Sequence, residues 1–232
     1  MKKNLIGIDN IIMKESYLIV IPARGGSKRL RKKNIRLFNG KPLIAWTIEL
    51  ALKLPGENNV LVSTEDEAIA KIAKQYGANV PFLRPNNLAK DSVSALEVMK
   101  HITLKLSFKG IIILLQPTSP LRNIEDIKTG LQLIKKKNNA VMSIKKYIHS
   151  SNITTYSKSG EKFLPITKDN RKLFVPNGAV YIANSKWLKE NTSFYSEDVS
   201  VFEMPQNRSI DIDFEYQFLT AENIFKEINN KK

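Results

Sequence analysis

Short apolar runs separated by amphipathic stretches dominate the first two thirds of the chain, and this alternation restricts the fold more than any other feature. Tyr17 to Ile21, Val60 to Ser63 and Ile111 to Leu115 are nearly unbroken apolar segments. Such runs mark parallel strands that are covered on both faces. Between them, Ile69, Ile72, Ala73 and Tyr76 fall at i, i+3, i+4 and i+7. The same spacing recurs at Ala95, Val98, Met99 and Ile102, and again at Ile127, Gly130, Leu131 and Ile134. It predicts helices with one apolar face. Pro42 predicts a further helix through Leu52, because its fixed φ suits a first turn. Strand–helix alternation of this kind predicts an open α/β sheet.

Residues 147–176 break the rhythm, being polar and rich in Ser, Thr, Asn and Lys. Asn177 to Ala183 returns to a strand pattern. A last helix is expected from near Asp213, with Phe214, Phe218, Ala221, Phe225 and Ile228 as its apolar stripe. The expected organisation is one domain over residues 17–228, a protruding segment at 147–195 and an N-terminal extension over 1–16. Within that extension, residues 1–12 read either as an upstream addition before Met13 or as a frayed terminus.

Composition removes several functional classes. The 232 residues include no cysteine, which excludes disulfides, thiolate metal sites and cysteine nucleophiles. With only two histidines, His101 and His149, a histidine-rich zinc cage is not expected, and any metal should be held by oxygen. No apolar run is long enough to span a bilayer, and the first residues form no export signal, so a cytoplasmic protein is expected. The net charge of +15 suits an anionic partner: nucleic acid, an acidic membrane surface, or a phosphorylated or carboxylated small molecule.

Three stretches carry candidate chemistry. The first strand runs into Pro22-Ala23-Arg24-Gly25-Gly26-Ser27-Lys28-Arg29-Leu30-Arg31-Lys32-Lys33-Asn34. Through Arg36 this loop holds seven basic residues and no acid. In open α/β sheets ligands bind beyond the carboxyl ends of the strands. Gly25 and Gly26 would let backbone N–H groups approach a phosphate, and the cations would neutralise it. The loop is neither a Walker A nor a dinucleotide-binding glycine motif. A basic surface loop is the alternative reading.

The second stretch is Ser209-Ile210-Asp211-Ile212-Asp213. In extended backbone the two carboxylates share one side while Ile210 and Ile212 face the other. A carboxylate pair suits Mg²⁺. Alternatively, Asp213 caps the next helix and Asp211 is solvated. The third stretch is Gln116-Pro117-Thr118-Ser119-Pro120-Leu121-Arg122, at the end of another apolar run. Gln116 has an amide suited to hydroxyl or N-acyl groups, although a proline-punctuated turn explains the same residues. Arg84-Pro85 followed by Asp91 is a loop with charged contacts, and Asn177 either binds a ligand or shapes the turn before its strand.

In this order the motifs resemble the acylneuraminate cytidylyltransferases, the CMP-sialic acid synthetases. The resemblance rests on Ile21 to Lys28, Lys33-Asn34, Val62 to Asp66, Leu83 to Pro85, Leu88 to Asp91, Leu115 to Arg122, Pro176 to Tyr181 and Ser209 to Asp213. It implies a three-layer α/β/α nucleotidyltransferase fold with a mostly parallel sheet. It also implies a homodimer, and CMP transfer from CTP to a nonulosonic acid with Mg²⁺ (or Mn²⁺). By matching position, Ala23, Arg24, Gly25, Ser27, Lys33, Asn34 and Arg84 should bind the nucleotide. Gln116, Asn177, Tyr181 and Phe194 should lie near the sugar, and Asp211 and Asp213 should hold the metal. Arg24, Lys33 and Asp211 are the expected catalytic residues. Arg29 stands where many members have glycine. The expected acceptor is N-acylneuraminate or a related nonulosonic acid, with pseudaminic acid, legionaminic acid and 3-deoxy-octulosonate as alternatives. A nucleic-acid-binding protein is the reading from another class, but residues 23–36 lack the interleaved aromatics it would show.

Overall fold

The computed structural model describes residues 17–54, 59–135, 139–147, 155–159, 162–166 and 173–230. Residues 1–16, with the expected extension, and His149 lie outside them. The chain begins with β1 (Tyr17–Pro22), followed by β2 (Leu37–Phe38), β3 (Lys41–Pro42) and α1 (Leu43–Leu52). Next come β4 (Asn59–Ser63), α2 (Glu67–Gln75), α3 (Ala95–Lys105), β5 (Ile111–Leu114) and α4 (Ile124–Lys135). The last part holds β6 (Ala140–Lys146), β7 (Thr155–Ser159), β8 (Lys162–Ile166), β9 (Phe174–Asn184), α5 (Ser185–Glu190), β10 (Val199–Glu203) and α6 (Glu215–Asn230).

Six strands form the central sheet in the order β10-β6-β9-β5-β1-β4. β9 runs antiparallel to both β5 and β6, whereas β1 is parallel to β4 and β5, and β6 to β10. All strands but β9 therefore point the same way. β1 alternates between the two faces of the sheet. Tyr17, Ile19 and Ile21 join a core with residues of α1, α2 and α4, while Leu18 and Val20 join a second core with α3 and α5. Both faces are thus covered, which is why the run needs no polar residue. A smaller cluster ties Phe38 and Leu43 to Ile212, Phe218 and Ala221 near α6.

Local signals place the helix starts. Asp66 accepts from the Ile69 N–H, and Ser94 and Glu97 form a reciprocal capping box at α3. β6 and β10 were not visible as strand patterns, because their few apolar residues mix with Ser143, Lys145, Lys146, Ser200 and Glu203. Of the span 147–195, residues 174–184 belong to the central sheet, and Trp187, Leu188 and Phe194 are buried in the second core. The β7–β8 pair forms a separate two-stranded sheet. Among the described residues no helix is long and apolar enough to cross a membrane.

From β1 the chain moves outward to β4, then crosses back to β5 on the other side of β1. This reversal opens a crevice beyond the carboxyl ends of β1 and β5, the usual place for a ligand in such sheets.

Candidate active site

A cavity of about 280 Å³ occupies that crevice. Arg24, Ser27, Lys33 and Asn34 line it from the loop after β1, and Arg84 and Asp91 from the segment before α3. Gln116 and Thr118 enter after β5, and Asp211 and Asp213 from the segment before α6. The three candidate stretches, more than 180 residues apart at their extremes, therefore meet in one place.

The basic loop is held by acids from elsewhere in the chain. Arg24 and Lys28 both pair with Asp91, the latter at 3.0 Å. The hydrogen bond from Lys28, followed by the hydrogen bond and charge of Arg24, holds the Asp91 carboxyl below its ordinary range. Glu65 accepts from the Gly25 N–H at 2.7 Å and from Arg84 at 3.1 Å. Arg84 is buried, and loss of solvent lowers its pKa while Glu65 opposes the fall. The Gly25 N–H is thus occupied by protein rather than turned toward a ligand. Glycine is needed there for another reason: a Cβ would overlap the Asp66 carboxylate. Ala23 is fully buried and donates to the Ser63 carbonyl. Asn34 donates to the Arg24 carbonyl at 2.9 Å and so shapes the loop as well as lining the cavity.

Lys32 takes a left-handed conformation (φ 53°) and begins the short turn that carries Lys33 inward. The Lys33 ammonium donates to the Ile212 carbonyl at 2.6 Å and to Asp213 at 2.9 Å. Arg29 donates to the other Asp213 oxygen at 2.8 Å and lies 5.0 Å over the Phe214 ring. Asp213 does not cap α6. Instead, the side chain of Gln217 accepts from the Asp213 and Phe214 N–H groups.

Asp211 and Asp213 face the cavity, while Ile212 is buried and Ile210 packs beside it. Burial raises the Asp211 pKa, a hydrogen bond with Thr118 opposes the rise, and Asp213 adds to it. The Oδ1 atom of Asp211 is shielded from solvent and has no hydrogen-bond partner. An orphaned carboxylate oxygen beside a second carboxylate fits a hard cation. Among the described residues no three acidic or histidine side chains converge. Mg²⁺ does not require three, because it takes one or two carboxylates together with water and phosphate oxygens.

The expected sugar residues divide. Gln116 reaches the cavity, and its Oε1 accepts from Thr118 at 3.4 Å. Asn177, Tyr181 and Phe194 are buried and do not line this cavity. Tyr181 packs edge-on against Phe194 at 5.1 Å, and burial raises its pKa. Asn177 is bonded on both sides of its amide, to Ser143 and Ser209.

Sequence reasoning missed the role of Arg122. Its guanidinium is buried and donates to the carbonyls of Ala179 (2.6 Å) and Gln116 (3.2 Å) and to the Thr47 hydroxyl (3.0 Å). Burial pushes its pKa down to about 9. It fixes the loop after β5 to β9 and α1. Glu65 was also missed as a partner, although it stands just past the end of β4, on the edge where the site forms.

A profile of the family described as "Cytidylyltransferase" matches residues 18–231. A CMP-N,N'-diacetyllegionaminic acid synthase from Legionella pneumophila is 36% identical over 92% of this chain and 97% of that protein. An N-acylneuraminate cytidylyltransferase from Escherichia coli is 35% identical over 95% of this chain, which spans about half (54%) of that longer protein. A pseudaminic acid cytidylyltransferase from Campylobacter jejuni is 33% identical over 84% of this chain and 90% of that protein. Among solved structures, a CMP:2-keto-3-deoxy-manno-octonic acid synthetase complexed with CTP superposes with a TM-score of 0.71, covering 92% of this chain and all of that one at 18% identity. This last likeness speaks to the fold alone.

Proposed function

Because this chain belongs to the cytidylyltransferase family, we propose that it transfers CMP from CTP to the anomeric hydroxyl of a nonulosonic acid, releasing pyrophosphate. The observation that carries this reading is the meeting of Arg24, Lys33, Gln116 and Asp211 in one cavity at the reversal of the sheet. The sugar oxygen forms a bond to the α-phosphorus of CTP as the bond to the pyrophosphate oxygen breaks. The protein contributes mainly orientation and charge stabilisation.

Arg24, Lys28 and Lys33 take the phosphates, and Arg24 and Lys33 neutralise the pyrophosphate as it leaves. Their present partners, Asp91 and Asp213, mark where negative charge is already favoured. Arg84 stays with Glu65 and lines the cavity near the expected position of the nucleoside. Gln116 offers its amide to the acyl or hydroxyl groups of the sugar. Asp211 and Asp213 would hold Mg²⁺, which would polarise the phosphate and lower the pKa of the attacking hydroxyl. Among the described residues no histidine lines the cavity, and no side chain is assigned as general base.

We further propose a cytoplasmic homodimer that prefers an N-acylated nine-carbon acid to 3-deoxy-octulosonate. The three relatives above are named for legionaminic, N-acylneuraminic and pseudaminic acid, all of this acceptor class. The test is pyrophosphate release from CTP, with ATP as control, over a panel of these sugars with and without Mg²⁺. Gln116→Ala should raise the KM for the sugar far more than that for CTP, because the unpaired polar group left behind costs selectivity. Release from ATP at an equal rate, or an effect of Gln116→Ala on CTP alone, would overturn the assignment.

A further inference from the structure

Opposite Ser143 the ladder between β6 and β9 breaks. Met142 pairs with Tyr181, but Ile144 pairs with Pro176, so residues 177–180 of β9 bulge past a single residue of β6. Bulges next to active sites re-aim the groups around them. Here the bulge turns at Gly178 (φ 74°), where a Cβ would lie 2.8 Å from Gln116 Oε1 and 3.3 Å from Asp211 Oδ2. Glycine is needed for both the conformation and the approach.

Polar side chains fill the gap in the ladder. The Ser143 hydroxyl accepts from the Val180 N–H at 2.8 Å and donates to Asn177 Oδ1 at 2.6 Å. The same Oδ1 accepts from the Ala179 N–H at 3.2 Å. The Asn177 amide then donates to the Ser209 hydroxyl at 3.0 Å, and that hydroxyl donates to the Pro205 carbonyl at 2.9 Å. Ser143, Asn177 and Ser209 are all at most 2% exposed. The chain of hydrogen bonds runs from the sheet into the segment that carries both carboxylates.

That segment has no regular secondary structure of its own between Ser209 and Phe214. It is fixed from outside. Arg208 forks onto Asp126 at 2.8 and 3.1 Å, Lys145 donates to the Ser209 carbonyl at 3.2 Å, and the Ile212 N–H donates to the Thr118 carbonyl at 2.8 Å. The Asn177–Ser209 bond is the tie nearest Asp211 that comes from the bulge.

We infer that Asn177 is a positioning residue, which through Ser209 sets the place of Asp211 and Asp213 as metal-binding groups and does not itself touch the sugar. This rests on the reading that the two carboxylates hold a divalent cation. Outer partners of metal ligands are worth about 10- to 100-fold in affinity or activity. A buried amide bonded through both its oxygen and its nitrogen is well suited to that role, since it holds one orientation and has little freedom to serve a substrate.

The test is Mn²⁺ binding to the CTP complex without sugar, read from the signal of free Mn²⁺, in wild type, Asn177→Ala, Ser209→Ala and the double variant. Each single change should weaken Mn²⁺ binding about 10- to 100-fold. The double variant should lose no more than either single, because both remove the same bond. The sugar KM should move less than about threefold, and hydrogen exchange at the Ile212 amide should accelerate. A raised sugar KM with unchanged Mn²⁺ affinity would make Asn177 a substrate contact and overturn the inference. Loss of thermal stability alone, with Mn²⁺ affinity and Ile212 exchange unchanged, would reduce it to a scaffold residue. If Asn177→Ala does not fold, Ser209→Ala decides. If the wild-type complex binds no Mn²⁺, the metal reading fails, while exchange at Ile212 still decides whether the tether exists.

Discussion

The two walls of the cavity are built on different principles. On one side the loop after β1 faces the segment before α3 through Arg24, Lys28 and Asp91, whose side chains are 31%, 82% and 52% exposed. From Pro85 to Ser92 no side chain is buried, and among the described residues the backbone hydrogen bonds of this strap are local. On the other side, Arg122, Asn177 and Ser209 are buried and bonded to backbone and to one another. Exposed ion pairs contribute little and exchange readily, whereas buried polar networks hold one geometry. The first wall is therefore suited to giving up its partners to an arriving polyphosphate. The second is suited to keeping Gln116 and the two carboxylates where they stand.

The largest expected effect tests the fixed wall. Asp211→Asn should lower turnover by at least about a thousandfold, because metal-assisted charge stabilisation is worth several kcal/mol. The same change should stabilise the metal-free protein. Burial raises the folded pKa of Asp211 above its unfolded value. The unfolded chain therefore releases that proton first, and stability falls as pH rises through this interval. Asparagine carries no charge to desolvate, so near neutral pH the variant should melt about 2–4 °C higher. An unchanged or lower melting temperature would show that Asp211 is better satisfied than its orphaned oxygen implies. Thermal unfolding without divalent cations, beside steady-state pyrophosphate release, checks both.

Next comes the seam between the walls. Lys33 is only 12% exposed and bonds to Ile212 and Asp213 of the fixed wall, yet it belongs to the basic loop. Lys33→Ala should weaken CTP about 10- to 100-fold, in line with the loss of charged hydrogen bonds. Arg24→Ala should cost less, about tenfold, because its half-exposed guanidinium is more easily replaced by its neighbour Lys28. Isothermal titration with CTP ranks the two. A larger loss for Arg24 would mean that the exposed wall carries most of the phosphate binding.

Legibility in the sequence follows the same division. The strands that build the crevice were readable because burial on both faces leaves an apolar run, as in β1, β4 and β5. The basic loop, the carboxylate pair and Gln116 were readable because their chemistry is concentrated within a few residues. Their partners were not. Gly25 meets Glu65 forty residues away, and Lys33 meets Asp213 180 residues away. No local pattern records such pairs, so a loop with no acid of its own looked more strongly positive than the assembled site is. Asn177 shows the opposite case. Its type and place left both a ligand contact and a turn-shaping role open, because the β6–β9 bulge that buries it depends on a register no single segment displays. β6 itself was missed because Ser143, the residue that bridges the bulge, interrupts its apolar pattern.

A smaller effect probes the exchangeable wall directly. Asp91 pairs with two cations that the proposed triphosphate site would need, and on that reading it would compete with the ligand from within the protein. Asp91→Asn should tighten CTP about three- to tenfold, the size expected for releasing exposed pairs. Inorganic tripolyphosphate should tighten equally and cytidine not at all. Glu125→Gln, which removes one negative charge from an exposed position of α4 that does not line the cavity, should change none of them and controls for net charge. Weaker CTP binding by Asp91→Asn would instead make Asp91 a ligand contact and the strap part of the fixed wall.

The smallest effect concerns where the exchangeable wall ends. Ser94 lines the cavity at the start of α3, and its hydroxyl accepts from the Glu97 N–H at 3.2 Å. Glu97 accepts in return from the Ser94 N–H at 2.7 Å and hydroxyl at 2.8 Å. Ser94→Ala should cost about 1 kcal/mol of stability, as for other helix caps. If the strap moves as a unit up to this cap, turnover with saturating CTP should stay within about twofold, since the cap anchors the helix and not the ligand. The backbone N–H and hydroxyl of Ser94 hold the Glu97 carboxyl below the ordinary glutamate range. Its stabilising contribution is therefore complete above the unfolded pKa and is lost as pH falls through the lower folded value. Glu97→Gln should be less stable than wild type at pH 7, and the two melting curves should converge in acid. A gap that persists at low pH would show that the hydroxyl alone carries the cap. A large fall in turnover for Ser94→Ala would place the start of α3 in the fixed wall, and the boundary between the walls would then lie at Asp91.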